Sequence, residues 1–162
     1  MYKGAYSTTV QDDYMTPPTA WEYIRQYIPV DKTIWEPFYG DGRSGEILRE
    51  MGFDVIHNDE DFFTVNRGEV VVSNPPFSCK KQVIQRLVEL DKPFILLMPS
   101  NVLVTRYLKQ LTDGHLQIII PPRRIHFKRL RDGVASDEKS QCSFDTLFFC
   151  WKMNLPSSII ML

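Results

Sequence analysis

The sequence predicts an α/β fold, an open and mostly parallel sheet with helices on both faces and an antiparallel last strand. Three observations carry that expectation. Short β-branched or apolar runs alternate with stretches of helical spacing along the chain. Two strand-to-helix junctions carry special loop residues, glycines over 36–45 and prolines over 73–77. One run, Phe94-Ile95-Leu96-Leu97-Met98, is apolar without interruption, as a central strand covered on both faces requires.

In order, Thr16-Pro17-Pro18 opens a helix that runs on through Thr19-Ala20-Trp21-Glu22-Tyr23-Ile24. Proline tolerates the first helical turn, and a threonine hydroxyl can satisfy free amide donors there. Lys32-Thr33-Ile34-Trp35-Glu36 follows as a short strand. Residues 44–51 form the next helix, stopped by Gly52 where a left-handed residue is often needed. Phe53-Asp54-Val55-Ile56-His57 is the next strand, and Val70-Val71-Val72-Ser73 is a β-branched run ending at the Asn-Pro-Pro turn. Helical spacing returns over 81–90 through Val83, Ile84, Leu87 and Leu90, and Pro99 closes the apolar strand that comes after it. Residues 102–111 read as a helix, 116–120 as a strand and 144–151 as the last strand. Ligands of such a sheet belong at the carboxyl ends of its strands.

The chain of 162 residues fits a single domain, with residues 1–30 as an amino-terminal motif and helix and 121–143 as a basic, substrate-side segment. Hydrophobic residues make up 43% and charged residues 24%, the balance of a globular protein, which excludes a disordered or fibrous one. No segment approaches the roughly 20 apolar residues needed to cross a bilayer, and the start carries no export signal, so a cytoplasmic setting is expected. The three cysteines, Cys79, Cys142 and Cys150, form no CxxC pair and suggest neither a disulfide framework nor a zinc site. A net charge of −1 excludes the broad positive field of a dedicated nucleic-acid binder, so any such binding is local. Arg123, Arg124, His126, Lys128 and Arg129 interleave with Ile125, Phe127 and Leu130, as in a phosphate-facing segment. The same pattern serves a solvated edge strand guarded against aggregation.

The first loop is Glu36-Pro37-Phe38-Tyr39-Gly40-Asp41-Gly42-Arg43-Ser44-Gly45. Its glycines permit a tight turn and close backbone approach to a ligand at a helix start, and Asp59 lies near the end of the next strand, where a carboxylate can hold ribose hydroxyls. That pattern suits a nicotinamide dinucleotide, S-adenosylmethionine or a purely structural turn. Two features favour S-adenosylmethionine: the chain has no room for a separate substrate domain, and the carboxylates of Glu36 and Asp41 attract ammonium and sulfonium but repel a pyrophosphate. In the second loop, Asn74-Pro75-Pro76-Phe77, the prolines stiffen the backbone and leave the carbonyls of Asn74 and Pro75 without a local proline N–H to bond. An aromatic amine such as adenine N6 is a poor nucleophile. The Asn74 side-chain oxygen and the Pro75 carbonyl could accept its hydrogens and stabilise charge developing on nitrogen. Phe77 would stack on a flipped or single-stranded base; the alternative is a buried turn with Phe77 in the core.

In this order the two loops resemble the class I S-adenosylmethionine-dependent amino-methyltransferases, a Rossmann-like family, and specifically the small adenine N6-methyltransferases of phages and viruses. Tyr14-Met15-Thr16-Pro17-Pro18 resembles the family's amino-terminal cofactor motif, which implies cofactor contacts at Tyr14, Thr16 and Pro17. Residues 36–42 resemble its first motif, implying Glu36, Pro37, Phe38, Gly40, Asp41 and Gly42. Asn74-Pro75-Pro76-Phe77 resembles the catalytic (D/N/S)PP(Y/F/W) tetrapeptide, with Asn74 also against the cofactor. Asp59 matches the acidic ribose ligand, and Asp61-Phe62 resembles the pair that contacts the cofactor's adenine. Arg124-Ile125-His126-Phe127 and Ser143-Phe144-Asp145-Thr146 resemble segments near the target base.

The resemblance implies methyl transfer from S-adenosyl-L-methionine to the N6 amine of adenine in nucleic acid, DNA favoured over RNA. Phe77, Arg123, Arg124, His126, Lys128 and Arg129 would meet the substrate, and no metal is implied. Position 36 is glutamate where aspartate is common, the interval between Asp59 and Phe62 is short, and no space is left for a substantial target-recognition domain. A homodimer or a recognition partner would supply sequence specificity if the basic segment does not. The same tetrapeptide serves RNA adenine and other planar amines such as a protein glutamine, and a non-catalytic subunit of this fold is the reading from a different class. Trp21, Trp35, Trp151, Phe148 and Phe149 read as core, and His57 and His115 have no spacing that suggests catalysis or metal.

Overall fold

Among the described residues there are ten strands and four α-helices; strand and helix alternate largely as predicted as far as residue 120, beyond which only strands follow. The computed structural model describes residues 14–131, 134–135 and 145–162, with the backbone alone for 129–131 and 134–135. Cys142, Ser143 and Phe144 lie outside the described residues, as does much of the predicted substrate-side segment. The elements are β1 (Tyr14–Met15), α1 (Pro18–Ile24), β2 (Ile34–Trp35), α2 (Arg43–Glu50), β3 (Val55–Ile56), β4 (Val70–Ser73), α3 (Lys80–Glu89), β5 (Phe94–Pro99), α4 (Arg106–Thr112), β6 (Gln117–Ile120), β7 (Lys128–Arg131), β8 (Val134–Ala135), β9 (Thr146–Trp151) and β10 (Ile159–Met161).

The main sheet has seven strands in the order β10-β6-β9-β5-β4-β2-β3. Every pairing in it is parallel except those that β9 makes with β5 and β6. All six residues of β5 are buried, as its unbroken apolar run requires. Alternation along each strand sorts the side chains between two cores. Val70, Val72, Ile95, Leu97, Phe148 and Cys150 pack with Ala20, Trp21 and Ile24 of α1 and Ile47 and Leu48 of α2. Val71, Phe94, Leu96, Met98, Phe149 and Trp151 pack with Val83, Ile84 and Leu87 of α3 and Leu108 of α4. Helices therefore cover both faces, and Trp21, Trp35 and Trp151 are core residues as expected.

Four expectations are corrected. The antiparallel strand is not the last: β10 adds a parallel edge beyond β6, and its exposed Ile159 and Met161 give no strong strand signal. The helix expected over 102–111 is a 3-10 turn, Ser100–Val104, then α4; Thr105 between them is extended at φ −75° and ψ 139°. Strands expected over 32–36 and 53–57 hold only two ladder residues each. Pro17, not Thr16, caps α1, with an extended backbone and no side-chain cap bond, and Pro18 takes the first helical position.

A small second sheet, β1-β7-β8, sets β1 antiparallel to the basic strand β7, with Tyr14 opposite Arg129 and Met15 opposite Lys128. In the main sheet, β3 lies on one side of β2 and the chain then returns to place β4 on the other. Connections leave β2 and β4 in opposite directions, which opens a crevice at their carboxyl ends. Both loops singled out in the sequence start there.

Candidate active site

Glu36 is the first residue past β2, 1% exposed. Its Oε1 accepts the Ser73 hydroxyl at 2.5 Å and the Phe38 N–H at 3.0 Å, so one carboxyl oxygen ties together the ends of β2 and β4. Burial pushes this carboxyl up to about 8, against the pull of those two hydrogen bonds. At neutral pH it is held mostly as the acid, and a cation placed beside it would draw it toward the ionised form.

The glycine loop then turns through left-handed conformations at Gly40 (φ 57°) and Gly42 (φ 84°), which side chains adopt at a cost. Asp41 is exposed, and its Oδ1 accepts the Arg43 N–H at 3.0 Å to start α2. Gly45, the third glycine, serves packing: a Cβ there would lie 2.2 Å from Cδ2 of His57. His57 is buried, stacks on Tyr39 with centroids 4.8 Å apart, and places Nδ1 2.8 Å from the Glu36 carbonyl. A carbonyl only accepts, so Nδ1 carries the proton and Nε2 is bare. Burial pushes the imidazole below its usual range, against that hydrogen bond, and keeps the ring neutral. Sequence reasoning assigned His57 no role. The signal for it was the third glycine, which demands a close neighbour.

Asn74 follows β4. Its Nδ2 donates to the Thr16 hydroxyl at 2.9 Å, while its Oδ1 is buried with no hydrogen-bond partner among the described residues. Pro75 is buried, Pro76 half-buried, and neither carries an N–H. The Phe77 ring, expected to stack on a base, is 6% exposed in a 3-10 turn whose carbonyl accepts Lys80 Nζ at 2.9 Å. Stacking on it requires the ring or the turn to move.

Other expected site residues are spread around this centre. Pro37 and Phe38 are buried, Tyr14 and Pro17 half-buried, and Asp59 exposed beyond β3. Asp61 is exposed and accepts the Phe63 N–H at 2.9 Å. Phe62, expected against an adenine ring, is fully buried among Trp35 at 5.5 Å, Phe38 at 5.0 Å and Phe63 at 5.0 Å. It offers no surface of its own. In the basic segment Arg123, Arg124, His126 and Lys128 are exposed while Ile125 and Phe127 are buried, so the charges face out from a packed stem. Arg124 Nε pairs with Asp145 at 3.1 Å, and the Arg129 side chain lies outside the described residues. Through the β1–β7 pairing this segment sits beside Thr16 and hence beside Asn74.

No family model matches this chain, and no curated protein matches it. An orphaned buried amide oxygen suits an amine hydrogen, a buried carboxyl that a cation would ionise suits an ammonium, and left-handed glycines suit close backbone approach to a ligand. Among the described residues no cluster of His, Cys, Asp and Glu could hold a metal ion, and no helix is long and apolar enough to cross a membrane. A groove of about 500 Å³, lined by Glu22, Arg25, Ile28, Met51 and Phe53 among others, opens at the amino ends of the strands, away from this crevice.

Proposed function

We propose that this chain is a cytoplasmic methyltransferase of the class I, Rossmann-like kind that modifies the N6 amine of adenine in nucleic acid, DNA in preference to RNA. The observation that carries the reading is Asn74: its amide nitrogen is already committed to Thr16, and its buried oxygen has no partner among the described residues. A buried acceptor left unpaired costs about 1–3 kcal/mol, a cost relieved when a substrate N–H arrives.

Held in the crevice, S-adenosylmethionine would supply a sulfonium-activated methyl group to the amine nitrogen, its sulfur leaving as a neutral thioether. Glu36 and the glycine loop would hold the cofactor's amino acid end, with Asp59 on its ribose. The Asn74 oxygen and the Pro75 carbonyl accept the two amine hydrogens, keeping the nitrogen lone pair out of the ring and stabilising its growing positive charge. No strong base is required, because the alkylated nitrogen is acidic and gives its extra proton to solvent. Arg123, Arg124, His126, Lys128 and Arg129 would carry the phosphate backbone past Thr16, alone or with a second copy or recognition partner.

The test is incubation with methyl-labelled S-adenosylmethionine and unmodified DNA, RNA or protein, followed by digestion and identification of the product. N6-methyladenine from DNA is expected; label found only in RNA or in glutamine would redirect the substrate, and label in none would end the reading. Asn74→Ala should lower turnover at least a hundredfold, about the loss seen when a single transition-state donor or acceptor is removed, while cofactor binding changes little.

A further inference from the structure

Asparagine presents two chemically opposite ends on one rotatable amide, and only the oxygen can accept an amine hydrogen. Turned by 180°, the same side chain would set its NH₂ against the substrate NH₂, donor against donor. Something must fix the rotation, and the neighbouring prolines cannot, since they restrict backbone and not side chain. The structure shows one hydrogen bond to the Asn74 amide among the described residues, the 2.9 Å contact from Nδ2 to Thr16 Oγ1 across 58 positions of sequence. Thr16 is itself buried. It stands between β1, anchored on β7, and the rigid Pro17-Pro18 start of α1, so its backbone is held from both sides.

We infer that Thr16 is a positioning residue that anchors the Asn74 amide: its hydroxyl accepts from Nδ2 and so leaves the oxygen end for the substrate amine. This rests on the proposed methyl transfer. It gives Thr16 a part separate from the cofactor contact implied by family resemblance.

The experiment compares wild type, Thr16→Val, which keeps shape without the hydroxyl, and Thr16→Ser, which keeps the hydroxyl, each at saturating cofactor and nucleic acid. Thr16→Val should lose about ten- to a hundredfold in kcat with both KM values within about threefold, and Thr16→Ser should recover most of that loss. In an Asn74→Ala background Thr16→Val should cost nothing more. A second readout needs no turnover: in ¹⁵N-labelled protein the Asn74 side-chain amide protons should exchange slowly in wild type and Thr16→Ser, and fast in Thr16→Val.

Unchanged kcat in folded Thr16→Val, a rise in cofactor KM alone, or an equal further loss in the Asn74→Ala background would overturn the inference and leave the proposed activity standing. Fast exchange of the wild-type Asn74 amide would do the same. A wild-type chain that transfers no methyl group, with its Asn74 amide nonetheless protected, would instead remove the activity and with it the positioning role.

Discussion

At the scale of single residues, the chemistry concentrates where a polar group is buried under constraint. Glu36 is the clearest case, because its pKa in the folded protein is raised from 4.5 to about 8. The native state therefore holds the proton more tightly than the unfolded chain, so the contribution to stability is fully present at low pH and is lost as pH rises from about 4.5 through about 8. A tenfold change in proton affinity is worth about 1.4 kcal/mol, which makes the loss a few kcal/mol in order of magnitude. Buried His57 contributes the opposite slope at the acid end, so the difference between wild type and Glu36→Gln is the quantity read: the urea midpoint of wild type should fall relative to that of Glu36→Gln from about pH 5 to about pH 8.5. Cofactor binding should carry the opposite dependence, since a cation beside Glu36 must first expel its proton: affinity rises with pH toward 8 in wild type, and calorimetry in buffers of different ionisation heat should detect the released proton. A pH-independent affinity would separate Glu36 from the cofactor.

At the scale of elements, what was legible in the sequence depended on how far away the deciding contact lies. β4, β5 and α3 were readable to within a residue, because their buried faces are written in consecutive apolar positions. The short strands β2 and β3 were overestimated: the predicted strands, 32–36 and 53–57, run beyond the two residues of each that pair in the ladder. Asn74 could be singled out because two prolines advertise its turn. Its clamp could not, since Thr16 lies 58 positions away, and neither could the Ser73 bond to Glu36, 37 positions away. Gly45 shows a local pattern anticipating a distant contact, for the third glycine leaves room for His57. Adding one methyl there, Gly45→Ala, should cost about 1–3 kcal/mol by overpacking α2 against the end of β3, read as a lowered thermal midpoint. An unshifted midpoint would mean that the His57 ring moves aside freely.

At the scale of the whole molecule, a chain of net charge −1 can meet nucleic acid only through a restricted face, and the exposed charges of 123–128 are carried on a stem whose alternate residues are buried. Arg123→Ala and Lys128→Ala should each weaken binding about equally across sequences and lower the slope of log affinity against log salt by about one, without changing which adenine is modified. Fluorescence anisotropy between about 50 and 200 mM salt tests this, and a slope unchanged in both variants would move the contact elsewhere. The sheet order carries a consequence of another kind. β6 reaches the rest of the sheet only through β9, and its other neighbour is β10; both are later in the chain. As the polypeptide emerges from the ribosome, β2, β4 and β5 can pair as soon as residue 99 is made, but β6 must wait for strands not yet synthesised. The crevice between β2 and β4 thus belongs to the half of the sheet that can assemble first, while the open edge of β5 and the apolar Ile118 and Ile119 of β6 both need shelter from wrong partners until β9 has been made.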